Sequence, residues 1–427
     1  MHPDHASRTL TALTGIAACT LAAPCWGAGP WLAETGGADV GMAGAGRAAL
    51  ALDAAALASN PAAIGGLSGT MVTAAAMPFE LDFEFRGSAA TPATATNQEG
   101  VKLIPAFYAA WRDDRFTYGI GAYSYLGLSF DVGDQWAGRR VIEQAGLATF
   151  NIAPTVAWQA TDRLVVGASL AAQLAEPEAR VAIANDAMFY GPPVGLPDGQ
   201  LELSGQSWGL GGQLGLTYAP TDSLRCGLAW TAPVDHSVPF DVTAQGLHPV
   251  LAKLLPTDDA ARLELTVPQQ VLLGVAHQAG NGTTAAFGLS WQDWSRFGNA
   301  QLKLPGSSSP MIPGGLQDTW GVAVGLRRAF SDGWVGSAGA SYESGPATDA
   351  GLPAYFPVAE QWKFAAGAER VISDSLRLRA ALSVTVQADA EVMQLSHPLP
   401  LPGRPALTGA YEDTRVYLLV LAADFMP

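Results

Sequence analysis

From Thr70 onward, apolar and polar residues alternate with a period of two. Met77, Phe79, Leu81, Phe83 and Phe85 fall on one side of the run, and Glu80, Asp82, Glu84 and Arg86 on the other. Successive side chains of a strand point to opposite faces, so the run predicts a strand with one apolar and one charged face. The same period returns later. Leu376, Leu378, Ala380, Leu382, Val384 and Val386 oppose Arg377, Arg379, Ser383, Thr385 and Gln387, while Trp208, Leu210, Leu214, Leu216 and Tyr218 oppose Ser207, Gly209, Gly211, Gln213 and Thr217. Apolar residues outside and small or polar residues inside are what a lipid-facing barrel strand requires.

Short polar turns punctuate these runs. Asp113-Asp114-Arg115-Phe116, Thr161-Asp162-Arg163-Leu164, Thr221-Asp222-Ser223-Leu224, Ser331-Asp332-Gly333-Trp334 and Ser373-Asp374-Ser375-Leu376 have turn chemistry, and Ala279-Gly280-Asn281-Gly282 adds another. Longer stretches rich in Gly, Pro, Ser and Asn separate the hairpins at 87–100, 132–146, 183–204, 244–262, 305–318, 345–356 and 392–412. Seven long and six short connections predict an all-β transmembrane antiparallel barrel of about 14 strands, with long loops outside the cell and short turns in the periplasm. Trp111, Trp158, Tyr218, Trp230, Trp320, Trp334 and Trp362 are expected near the short turns as an interfacial girdle. The final strand, 415–425, carries Tyr417, Leu419, Leu421, Ala423 and Phe425 on one face. Its aromatic end resembles the signal read by barrel-assembly machinery, although Met426-Pro427 follow it.

Composition narrows the class. Charged residues make up 14% of the chain, well below a soluble protein's usual share, and glycine reaches 48. After residue 28 no apolar run is long enough for a membrane helix. A greasy chain of this kind satisfies its backbone in lipid only as a closed barrel, and a soluble all-β protein is the distant alternative. The net charge of −15 argues against nucleic acid as a partner.

Residues 1–28 read as a secretory signal, with His2, His5 and Arg8 ahead of an apolar run; Ile16-Ala17-Ala18-Cys19 also resembles a lipoprotein cleavage box. Removal of the signal leaves Cys226 alone, without a disulfide partner. Residues 29–68 come next and 69–427 form the barrel. Within the first of these, the run 36–64 is too small-residued for a core and too apolar for a linker, and its glycines and the Asn60-Pro61 turn suit a compact plug.

Gly41-Met42-Ala43-Gly44-Ala45-Gly46-Arg47-Ala48, Asp53-Ala54-Ala55 and Asn60-Pro61-Ala62 stand in an order and spacing that resembles the N-terminal hatch of the outer-membrane long-chain fatty-acid transporter family (FadL type), which includes aromatic-hydrocarbon transporters. The resemblance covers a short part of the chain. It implies a barrel of the same strand number with a hatch in the lumen, gated at Gly41, Gly44, Gly46, Asn60, Pro61 and Ala62. It also implies a lateral opening where the third strand kinks, for which Gly119, Gly121, Tyr123, Tyr125 and Gly127 are candidates; strand glycines often mark bulges or close backbone approach. Finally, it implies ligand capture between loops 183–204 and 244–262. In the second loop Leu247, Val250, Leu251 and Leu254 fall at helical spacing, with Leu255 beside them, as a landing surface.

No HExxH, GxSxG or cysteine pair is present, and His236, His248, His277 and His397 are isolated, so no enzyme, metal or cofactor is expected. GAGRA lacks the preceding strand of a dinucleotide site. The chain is expected to be a monomeric outer-membrane transporter of a Gram-negative bacterium, passing hydrophobic molecules, long-chain fatty acids first among them, through a hatch-gated barrel without energy input. A plugged structural or adhesive barrel is the alternative. Expected partners are the hydrophobic ligand, outer-membrane lipid and lipopolysaccharide, and the assembly machinery. Arg47, Arg225, Lys363, Arg377 and Arg379 are candidate partners for a ligand carboxylate, and the choice between fatty acid and uncharged hydrocarbon stays open.

Overall fold

With no water in a bilayer core, each strand needs a partner on both edges, and the chain meets this by closing the sheet on itself. The computed structural model describes residues 28–31, 34–90, 93–188, 195–253, 261–305, 307–394 and 406–427. Fourteen antiparallel wall strands run through 70–87, 102–113, 116–131, 144–159, 164–183, 199–218, 224–245, 262–278, 283–292, 319–329, 334–343, 361–373, 376–387 and 407–425. The first strand pairs with the last (Ala74↔Ala423, Phe79↔Leu418), which seals the barrel. The six short turns join the wall strands in hairpins at one rim. Asp114 (φ 53°) and Asp332 (φ 63°) take the left-handed conformation there, which a short polar side chain tolerates better than most.

The outward phase is apolar where lipid is expected. Leu210, Leu214, Leu382, Leu421 and Phe425 are exposed, while Gln213, Ser383, Leu418 and Val420 are buried within. The first strand reverses this rule in its later half. Met77, Phe79, Leu81, Phe83 and Phe85 point into the barrel, and Glu80, Asp82 and Arg86 face out. That half rises beyond the aromatic belt on the long-loop side, where the outer face meets water and the inner face packs.

The aromatic residues form two belts instead of one. Trp111, Trp158, Tyr218 and Trp334 lie beside the short turns, as expected. Trp230, Trp320 and Trp362 sit at the opposite, long-loop rim, where Trp230 lies level with Val271, Trp291 and Trp320 in successive ladder pairs. Trp320 and Trp362 open strands that descend from long loops, so closeness to a turn in sequence is the wrong measure; both interfaces attract aromatics. Trp320 and Phe330 on one strand span the band, roughly 25 Å tall for a tilted strand.

Residues 34–69 contribute nothing to the wall. Helical turns Ala38–Met42, Ala56–Ser59 and Ala63–Gly66 follow one another inside the barrel, almost entirely buried. They touch opposite sides of the lumen, from Ser337 and Gly367 near Gly41 to Val165 near Gly65. Residues 1–27, with Cys19 and most of the expected secretory signal, lie outside the described residues, as do His397, Leu254 and Leu255.

The phase assignment is checked by charge. Leu214→Arg and Leu382→Arg should each impair folding, because an arginine facing mid-membrane lipid costs about 2–4 kcal/mol. Asp222→Arg, in a short turn, should fold normally. Heat-modifiable gel migration reads the outcome, and equal yields from all three would reject the assigned facing.

Candidate functional site

The hatch is fixed to the wall by a buried charge cluster. Asp53 accepts hydrogen bonds from the backbone N–H of Ala38 (2.6 Å) and Ala55 (2.8 Å), which ties two turns of the hatch together. Arg379, on the thirteenth wall strand, donates to Asp53 and to Asp424 of the last strand (2.9 Å). Thr73 completes the group, donating to Asp424 (2.8 Å) and accepting from the N–H of Ala54 (3.3 Å). All four side chains are buried.

At the other flank Asn60 acts as a bracket. Its amide donates to the carbonyls of Ala48 and Leu216 (3.1 Å), and its oxygen accepts from the N–H of Ala62 (2.9 Å). Gly215 makes room for it, since a Cβ there would stand 1.9 Å from the Asn60 oxygen. Pro61 packs against Gly167 and Gly215. Gly41 lies against Ser337 and Gly367 of the eleventh and twelfth wall strands, while Gly44 (φ 80°) and Gly46 (φ 70°), both in the left-handed region, lie against Gly288 and Ala286 of the ninth.

The third wall strand is interrupted between Phe116–Tyr123 and Leu126–Asp131. Its first part pairs with the second wall strand (Phe107↔Ala122). Its second part leaves that neighbour and takes Ala28–Trp31 instead, with Gly127 opposite Gly29. Tyr108, Tyr123 and Tyr125 crowd beneath the break. Tyr108 stacks on Tyr123 (centroids 5.5 Å apart), and Tyr125 meets Tyr123 edge-on (4.9 Å). The Tyr108 hydroxyl donates to the carbonyl of Thr35 (2.6 Å), and that of Tyr125 to Ala58 (2.7 Å), so the cluster is stitched to the hatch. Gln213 donates to the same Ala58 carbonyl (2.9 Å). Gly119 and Gly121 do not sit at the break; they let Leu57 of the hatch lie against the strand, where a Cβ on Gly121 would come within 2.8 Å of it.

Above the hatch, on the long-loop side, lies an apolar cavity of about 140 Å³. Leu128, Ala145, Leu203, Phe240, Leu265 and Phe356 are among its walls, and Leu126 and Leu128 join it to the kinked strand. Among the described residues no lysine or arginine lines it, and Glu178 does. The five candidate cations stand at the hatch instead. Arg379 binds Asp53 and Asp424, Lys363 pairs with Glu34, and Arg377 donates to the Leu52 carbonyl (3.3 Å). Arg225 stands beside Gly66, and Arg47 shares a polar cleft with Glu343 and Lys363.

Of the landing residues, Val250 is 46% exposed and Leu251 is fully buried, so the short helix Pro249–Ala252 turns Leu251 toward the core and not outward. Leu247 is partly buried against the same cluster. Asn185 ties the two loops, donating to the Gly246 carbonyl and accepting from the His248 N–H (2.7 Å). Burial works against the Asp198 carboxylate in the first of these loops, but Arg140 and Arg139 outweigh it and hold it below the usual range. Tyr108, Gln213, Thr73 and Asp424 escape a reading of the sequence alone. The one available signal is that Asp424 and Arg379 both hold the inward phase of late strands.

The sequence profile described as "Outer membrane protein transport protein (OMPP1/FadL/TodX)" matches residues 18–425. A long-chain fatty acid transport protein of Salmonella typhi is 23% identical over 357 residues, covering 78% of this chain and 81% of its own. A FadL homologue of Pseudomonas aeruginosa superposes with a TM-score of 0.81 at 19% identity, over 93% of this chain and 100% of its own. The toluene transporter TodX of P. putida gives 0.68 at 17% identity, over 93% and 98%. The profile spans nearly the whole barrel and hatch, and the chain belongs to the OMPP1/FadL/TodX family of outer-membrane transport proteins, passive channels and not enzymes.

Proposed function

We propose that hydrophobic molecules cross the outer membrane through this barrel by way of the apolar cavity, with residues 34–69 acting as the hatch that must shift for passage. The observation that carries this reading is the position of the cavity, bounded by the kinked third strand and by the loops that open outward. Its almost wholly apolar lining suits an apolar ligand. A structural or adhesive barrel has no use for such a space beside a break in its wall.

The finer ligand class follows from what lines the cavity. An ionised carboxylate needs a cation or several donors around its head, and leaving it among apolar walls carries a heavy desolvation cost. Of the candidate cations, Arg379 and Lys363 are engaged at the hatch by acids and Arg377 by a backbone carbonyl, and none of the five lines the cavity. The lining therefore favours an uncharged hydrophobic compound, of the kind the P. putida neighbour is named for, over an ionised fatty acid, the cargo named for the S. typhi relative.

Two measurements test this reading. Ala145→Trp fills the cavity and should abolish uptake of a labelled hydrocarbon into proteoliposomes while the barrel still shows heat-modifiable folding; unchanged uptake would favour the adhesive alternative. Asp53→Asn should loosen the hatch, since unpairing one member of a buried ion cluster costs about 3–5 kcal/mol. Larger and more frequent conductance steps in planar bilayers are the expected result, and Gly46→Val, whose Cβ would stand 2.8 Å from that of Ala286, should act in the same direction. Wild-type conductance in both variants would remove the hatch from the gate.

A further inference from the structure

The wall has a second break, far from the kinked strand. Between the eighth and ninth wall strands the ladder runs from Gln278↔Thr284 to Gln270↔Gln292 and stops. It resumes only at Glu264↔Gln301, where Arg262–Val267 meets the short strand Gln301–Leu304. In the interval Pro268 offers no N–H, and the residues of 293–300 coil into the helical turn Trp294–Phe297. At the lower end of the interval two bonds span it, from the Asp293 N–H to the Gln269 carbonyl (3.1 Å) and from the Gln269 amide to Asp293 (2.8 Å). Above them the wall is closed by side chains.

Those side chains separate two spaces. On the inside is the apolar cavity, which Leu263, Leu265, Phe297, Ala300 and Leu302 face. On the outside is a polar crevice of about 410 Å³, edged by Asp235, Glu264, Thr266, Arg296 and Asn299. Leu265 and Ala300 line both. The partition at this seam is thus one side chain thick. The crevice stands just above Trp230, Val271 and Trp291, which lie in the long-loop aromatic belt, and so at the level of lipid head groups.

We propose that this seam is a second side mouth of the cavity. Through it the tail of an uncharged, hydroxyl-headed amphiphile passes from the outer leaflet, while the head stays at Asp235 and Thr266. The head-group class follows from the crevice chemistry. Thr266 donates to Asp235 (2.6 Å), Glu264 pairs with Lys303, and Arg296 pairs with Asp293 (3.3 Å). Carboxylate oxygens accept from a hydroxyl and repel an anion. A tail between Leu265 and Ala300 meets only apolar atoms on its way inward. The proposal rests on the cavity being the transport route.

The test uses the full-length protein in proteoliposomes, with a pyrene-labelled long-chain alcohol and the matching carboxylate as probes. Asn299→Cys in a Cys226→Ser background is treated with a bulky, reversible methanethiosulfonate, and the untreated protein and the treated background serve as controls. The adduct should slow alcohol uptake several-fold, and reductant should restore it. Leu265→Ala should speed the alcohol and leave the carboxylate slow. If the adduct leaves alcohol uptake intact while Ala145→Trp abolishes it, the side mouth is overturned and the cavity route stands. If Ala145→Trp also leaves uptake intact, the transport reading itself fails and takes the side mouth with it.

Discussion

A charge buried away from water is stable only with its partners in place, and Arg379 has one partner on the wall and one on the hatch. Asp424 belongs to the strand that closes the barrel, and Asp53 to the turn that gathers the hatch through Ala38 and Ala55. One guanidinium therefore links barrel closure to hatch position. The second attachment, Asn60 against Leu216, uses neutral amide groups. The hatch is accordingly held by charge on one flank and by backbone recognition on the other, and the small residues between them let it lie close to the wall.

Polar and apolar functions are separated within the lumen. The candidate cations gather at the hatch, where Arg379 and Lys363 meet acids and Arg377 a carbonyl. The space above it is left almost wholly to apolar side chains, with Glu178 as the one acid among its described lining residues. A ligand entering that space trades water for apolar walls at a gain of roughly 25 cal/mol per Å² of its apolar surface. Among the described residues it meets no cation that would hold it. Such a site favours passage over retention, since what binds through apolar area alone leaves by the same measure.

The wall was legible in the sequence because lipid imposes a strict rule on every second residue and short turns need particular residues. Leu214 and Leu382 obey that rule. Phe83 and Phe85 do not, because alternation separates two faces without saying which is inward; above the belt, water reverses the preference. Leu251 shows the same limit for a helix, whose apolar stripe turned inward. The cluster of Tyr108, Tyr125, Gln213 and Ala58 was hidden for another reason. Its members come from the second, third and sixth wall strands and the hatch, and only the register of the closed barrel brings them together.

The short pairing of Ala28–Trp31 with Leu126–Asp131 has a consequence for the membrane itself. Where the third strand leaves its neighbour, its upper half would present an open row of backbone donors and acceptors, which hydrocarbon does not satisfy and which other strands readily join. The segment just ahead of the hatch covers that row. The chain leading into the hatch is then itself part of the wall's hydrogen-bonded surface. Any movement that draws the hatch away also uncovers a strand edge, which gives the closed state a guard against pairing with a neighbouring molecule in the same membrane.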